Sequence, residues 1–122
     1  MDKVLKFEDL IAWQRAQDLS VEIYSVFKSC SDWDFRNQIC RASVSISNNI
    51  AEGFNRKSKI EFIRFLYISL ASASEVKSML YLAYRLELTI LNQRNDLLER
   101  VTKISKIITG LIKAVERKEK EK

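Results

Sequence analysis

The stretch Gln38-Ile39-Cys40-Arg41-Ala42-Ser43-Val44-Ser45-Ile46-Ser47-Asn48-Asn49-Ile50-Ala51-Glu52-Gly53-Phe54 separates a helical from a β architecture, because it reads two ways. Its centre, Ala42 through Ser47, alternates small or apolar with polar side chains as a half-buried strand does. Over the full length, Ile39, Ser43, Ile46, Ile50 and Gly53 recur at steps of 4, 3, 4 and 3, the spacing of one helix face. Cys40, Val44, Ser47, Ala51 and Phe54 lie beside that stripe. No turn signal divides the alternating piece from the helical pattern around it, so the strand reading fails and the spacing predicts a helix over 34–54. Gly53 and Asn55 read as its stop signals.

The same period runs upstream and downstream. Ala12, Ala16, Leu19, Ile23, Val26 and Cys30 form a stripe at 4-3-4-3-4, predicting a helix over 8–30. Trp13, Tyr24 and Phe27 add a flanking apolar line, and Ser29-Cys30-Ser31-Asp32 closes the pattern with turn-prone residues. After Ser58-Lys59-Ile60-Glu61, which fits a capping box, Phe62, Leu66, Ser69, Ala73, Val76, Leu80 and Ala83 predict a helix over 59–87. Phe65, Tyr67, Ile68, Tyr81 and Tyr84 fall off that stripe, which suggests more than one packing partner. Leu97, Val101, Ile104, Ile108, Leu111 and Val115 predict a fourth helix over 93–118, with acids early and bases late to suit the helix dipole. The apolar-free end, Glu116 to Lys122, is expected to fray.

Composition agrees. The 122 residues contain no proline and two glycines, too few for the tight turns of a β fold, and 122 residues is a single-domain length. Four amphipathic helices on short connections pack most simply as an all-α, antiparallel up-down four-helix bundle occupying 1–122. The absence of histidine removes Ser-His-Asp and Cys-His catalysis and the commonest zinc ligand. Cys30 and Cys40 fall short of a thiolate metal site and read as small, reduced, buried apolar residues. No glycine-rich phosphate loop is present. The start lacks an apolar leader and no run reaches membrane-spanning length, so the expectation is a cytoplasmic, non-membrane protein without cofactor or metal.

Charge is divided unevenly. Residues 1–34 hold seven acids and four bases, whereas the remainder holds 17 bases and nine acids. An acidic first segment beside a basic body suits an anionic partner, or acid–base contact between subunits.

Three surfaces are candidates. Gln38, Arg41, Ser45, Asn49 and Glu52 form one polar ridge, open to two readings: a contact surface, or a hydrogen-bonded network between helices or subunits. Lys103, Lys106, Lys113, Arg117 and Lys120 share a face of the fourth helix. Asp96–Arg100, Glu99–Lys103 and Glu116–Lys120 are local pairs, while Lys106, Lys113 and Arg117 lack an acid four residues before them and remain available to phosphates or simply solvated. The loop Asn55-Arg56-Lys57-Ser58-Lys59, extended by Arg64, sets four bases at a helix start and reads as the nucleic-acid contact, or as an ordinary soluble turn. Tyr67, Tyr81 and Tyr84 either stack bases or bury their rings at contacts.

Several runs resemble a known family: Phe7-Glu8-Asp9-Leu10 with Ala12-Trp13-Gln14-Arg15-Ala16, Gln38 through Ser43 to Asn49-Ile50-Ala51-Glu52-Gly53, and Glu61-Phe62 with Arg64-Phe65-Leu66. The sequence resembles the bacterial four-helix bundle family first noticed as reading frames inside intervening sequences of 23S ribosomal RNA genes. It is also similar to the accessory variability protein of diversity-generating retroelements. The resemblance implies a ring-shaped homopentamer and, in the retroelement branch, a basic surface that meets RNA and a reverse transcriptase. Phe27-Lys28 and Asp34-Phe35 stand where many members have Phe-Pro and Gly-Leu.

The resulting expectation is a non-enzymatic, oligomeric bundle that binds nucleic acid, RNA before DNA, through Arg56, Lys57, Lys59, Arg64, Lys106, Lys113 and Arg117. The alternative is a ring that recruits a protein such as a reverse transcriptase without touching nucleic acid itself.

Overall fold

The Phe35 amide donates to the Asp32 carboxylate at 3.1 Å, and from that cap one helix runs unbroken through the ambiguous stretch. The computed structural model describes residues 4–120, with side chains through residue 118. Its elements are α1 (Ile11–Val26), α2 (Trp33–Phe54), α3 (Lys59–Arg85) and α4 (Leu91–Lys120), with a 3-10 turn at Phe7–Asp9 and no strand among the described residues.

The strand-like serines are satisfied within the helical bundle. Ser43 and Ser47 donate to the carbonyls of Cys40 and Val44, three residues back, at 2.8 and 3.3 Å. Ser45 shares a 2.8 Å hydrogen bond with Ser72 of α3, and Ser69 donates to the Ile46 carbonyl at 2.6 Å. These short side chains let α2 and α3 pack closely while leaving few buried polar groups unpaired.

Contacts between the two helices run in opposite chain directions: Gln38 to Glu75, Ser45 to Ser72, Ile46 to Ser69, and Gly53 to Phe65 and Phe62. Helices consecutive in sequence pack on one another, α4 closes on α1, and the diagonal pairs stay more than 8 Å apart between α-carbons among the described residues. The architecture is therefore an antiparallel four-helix bundle. Leu19 and Ile23, Ile39, Ile46 and Ile50, Leu66, Val76 and Leu80, and Leu97, Val101 and Ile108 form its fully buried centre.

Several element ends differ from expectation. The first helix is shorter than 8–30. Phe7 leaves the helical path to set its ring edge-on against Trp13 at 5.3 Å, while the Gln14 amide holds the Glu8 carbonyl at 2.9 Å. At the other end Phe27, fully buried against Phe35 rather than flanking the core, draws the chain into a turn that leaves Cys30 outside the helix and half-buried. In α4, Ile112 rather than Leu111 continues the core, because the step after Ile108 is four residues. α4 extends as a helix through Lys120, into the segment expected to fray, and residues 121–122 lie outside the described part. The expected partnership of Glu116 with Lys120 also lies outside the described side chains.

Gly53 does not stop α2. It sits buried inside the helix with a right-handed backbone, and a Cβ there would overlap the Phe65 Cβ and come within 3.1 Å of the Phe65 Cγ. The chain turns instead beyond Asn55, where Lys57 takes a left-handed φ of 58°.

α3 ends with a second left-handed residue, Glu87, at φ 60°. The Leu88 amide donates to the Ala83 carbonyl at 2.8 Å and the Glu87 amide to that of Tyr84 at 3.0 Å, the paired bonds of a Schellman cap. Glycine favours this position, and a carboxylate opposes the negative end of the helix dipole. Glu87→Gly is expected to stabilise the protein by about 1 kcal/mol, read as a rise of several degrees in Tm. A lower Tm would show that the cap is built differently.

Candidate nucleic-acid interface

The up-and-down order brings together residues that are far apart in sequence. The α2–α3 loop, the first turns of α3 and the last turns of α4 share one end of the bundle. Arg56, Lys57, Lys59 and Arg64 therefore stand at the same end as Lys113 and Arg117. Two basic groups that are separate in the sequence thus lie at one end of the molecule. Lys106 does not join them, because it lies about 10 Å further along α4 at 1.5 Å per residue and lines a groove beside α1.

Not every cation at this end is equally available. Arg56 reaches Glu52 at 3.4 Å, and Arg64 holds both oxygens of Glu61 at 2.9 and 3.1 Å. Both guanidinium groups also lie over the Phe65 ring, 5.0 and 4.8 Å from its centroid. Phe65 is thus a buried anchor under two arginines, not surplus apolar surface.

The capping box is half formed. Ser58 accepts from the Glu61 amide at 3.2 Å, but the Glu61 carboxylate turns to Arg64 rather than back to the Ser58 amide. The hydrogen bond from Arg64 holds the Glu61 carboxyl below the usual carboxylate range. Any contribution of this exposed pair is therefore present near neutral pH and fades as pH falls through that lowered value.

Among the described residues, none of Lys57, Lys59, Lys113 and Arg117 has an acidic partner within 4.0 Å. Lys57, Lys113 and Arg117 are exposed and Lys59 is half-buried. Among the described residues none of these four side chains has an ion pair to give up before it meets phosphate oxygens.

The polar ridge divides into parts. Its centre is a hydrogen-bonded contact between helices: Ser45 bonds Ser72, and the half-buried Asn49 amide donates to the Ser45 carbonyl and hydroxyl at 2.8 and 2.9 Å. Gln38, Arg41 and Glu52 are exposed at its flanks. Gln38 reaches Glu75 at 3.5 Å, and Glu52 serves Arg56. Tyr81 and Tyr84 lie at the opposite end from the basic cluster, beneath the Arg94 guanidinium at 5.4 and 4.8 Å. Tyr67 remains exposed on α3.

Two open grooves flank α1. The one between α1 and α4, of about 620 Å³, mixes signs, with Arg15, Asp18 and Lys106 beside the pairs Asp96–Arg100 and Glu99–Lys103 at 3.1 and 3.0 Å. Both pairs match the four-residue spacing of the sequence. The other groove lies between α1 and α2 and gathers Lys28, Arg36 and Arg41. Lys28 and Arg36 were not singled out by sequence, because they sit on different elements. The only local signal was Arg36 and Arg41 five residues apart. Burial pushes the Cys40 thiol up, and the Arg36 charge opposes that shift. Among the described residues no group of three or more His, Cys, Asp or Glu side chains is placed to hold a metal ion, and no helix is long and apolar enough to cross a membrane.

Fold and site together define an antiparallel helical bundle whose accessible chemistry is ionic and hydrogen-bonding. The chain belongs to the 23S rRNA-intervening sequence protein family, whose model matches residues 8–110. Among solved structures it is similar to a protein of unknown function from the S23 ribosomal protein family of Bacteroides thetaiotaomicron, 27% identical with a TM-score of 0.79, over 84% of this chain and 96% of that one. No curated protein matches the chain. Lys113 and Arg117 lie beyond the residues that the family model matches.

Proposed function

We propose that this protein is a non-catalytic, cytoplasmic, self-assembling bundle that binds nucleic acid, RNA in the first instance, by charge through the basic end of the molecule. The observation that carries this reading is the convergence of Lys57 and Lys59 with Lys113 and Arg117 at one end, with no acidic partner among the described residues. Nothing in that surface resembles a base-reading module, so contacts go to the phosphate backbone and discriminate little between sequences. Repetition of the patch around a homopentamer would let weak contacts act together. Anisotropy titration of a labelled single-stranded RNA and a structured RNA at low salt tests this, with binding of both expected. No binding to either would replace this reading with a ring that recruits a protein, such as a reverse transcriptase. Exposed Leu82, Leu86, Ile90 and Leu91 at the other end favour that second reading.

Self-assembly rests on apolar side chains that the bundle leaves in water: Val21 on α1, and Tyr67 and Ile68 on α3. Sedimentation equilibrium is expected to give a mass near five times the 14.3 kDa chain. A 14.3 kDa species at tens of micromolar would contradict assembly.

A further inference from the structure

We propose that the groove between α1 and α2 is a binding site for a small oligophosphate anion, held by Lys28, Arg36 and Arg41. The groove is open to solvent and offers about 470 Å³, within the range of small-ligand sites. The α2 face supplies Arg36, Asn37 and Arg41, while Tyr24 and Lys28 come from α1 and the turn after it. Cys40 and Val44 form an apolar floor.

One sign of charge distinguishes this groove. Its lining contains three cations and no carboxylate, whereas the groove between α1 and α4 contains both signs and neutralises two of its cations with ion pairs. Among the described residues none of the Lys28, Arg36 and Arg41 side chains lies within 4.0 Å of an acid, and none of these side chains donates a hydrogen bond. Three like charges around one concavity repel one another until an anion enters, and the concave wall concentrates their field.

The chemistry of the donors narrows the ligand. Two arginines offer planar forks that match phosphate oxygens in pairs, and Lys28 adds a mobile point charge. The Asn37 amide and Tyr24 hydroxyl supply neutral donors beside them. A single phosphate carries about −1.5 to −2 near neutral pH, too little to balance three cations, so linked phosphoryl groups fit better. The site lies on the half of the bundle remote from Lys57 and Lys59, and it stands or falls independently of RNA binding there.

Isothermal titration calorimetry with tripolyphosphate and with ATP, each without divalent metal, tests the site. Both probes are expected to bind the wild type with one site per chain. Arg36→Gln and Arg41→Gln should each weaken binding at least tenfold while leaving Tm near that of the wild type. Lys57→Glu/Lys59→Glu, which disables the proposed RNA surface, should leave this binding unchanged. Equal affinity for the two probes assigns recognition to the phosphate chain alone. Tighter binding of ATP, with the excess lost in Tyr24→Ala, assigns the ligand to the nucleotides; both patterns support the site. Failure of both probes to bind at millimolar concentration, or binding that survives both arginine substitutions, overturns it.

Discussion

Ile46→Asp is expected to leave the chain unfolded at room temperature, with the helical circular-dichroism signal lost. Ile46 is fully buried in the middle of α2, and its carbonyl receives the Ser69 hydroxyl across the interface with α3. Replacing it removes a large apolar side chain, worth about 2–5 kcal/mol. It also leaves a carboxylate without a partner, which costs about 3–5 kcal/mol more. Together these approach the whole stability of a small domain, about 5–15 kcal/mol. Lys118→Asp, at an exposed position near the end of α4, should melt close to the wild type. Equal melting of the two variants would show that Ile46 does not face the core.

Gly53→Ala should have the second-largest effect, and its sign runs against helix propensity. Alanine inside a helix gains about 1 kcal/mol over glycine. At this position the added methyl would overlap the Phe65 Cβ, the root of a side chain that no rotamer change can move. Phe65 is itself held beneath Arg56 and Arg64, so relief requires α2 and α3 to separate. Overpacking of that kind costs about 3 kcal/mol, for a net loss of about 2 kcal/mol and a Tm lower by roughly 8 °C. The shift should carry over to Arg56 and Lys57 in the adjoining loop. A raised Tm would mean that the helices do not cross this closely. Gly110→Ala is the matched control, since nothing lies within 4 Å of a Cβ placed there and propensity alone should act.

The bundle was legible because helical period is local information. The stripes Ile39-Ser43-Ile46-Ile50-Gly53 and Phe62 through Ala83 are buried as their spacing requires. What the period could not show were the places where tertiary contacts override it. Phe27 leaves α1 because Phe35, on another helix, offers its ring a buried partner. Gly53 looks like a terminator in isolation, and its role in packing exists only once Phe65 stands opposite. Phe65 falls off the stripe with its partners invisible for the same reason, since the two arginines above it come from different elements.

The candidate site followed the same division. Each cation was visible in the sequence, and the pairs Asp96–Arg100 and Glu99–Lys103 followed from spacing. The pairing of Glu61 with Arg64 instead of the Ser58 amide depended on a choice of rotamer that a capping motif does not encode. The convergence of Lys57 and Lys59 with Lys113 and Arg117, and the exclusion of Lys106 from that end, depended on which helix ends the topology brings together.

That convergence is the central claim, and the salt dependence of RNA binding tests it most directly. Anisotropy titrations across a range of salt concentrations should be made on the wild type, Lys57→Glu/Lys59→Glu and Lys113→Glu/Arg117→Glu. If the loop and the end of α4 form one phosphate-binding surface, both variants should weaken binding to every RNA sequence alike. Each should flatten the log–log salt slope by about 0.7 per lost phosphate contact, with oligomeric mass unchanged. A wild-type slope and affinity in either variant would contradict the account, because the two segments would then not act as one surface.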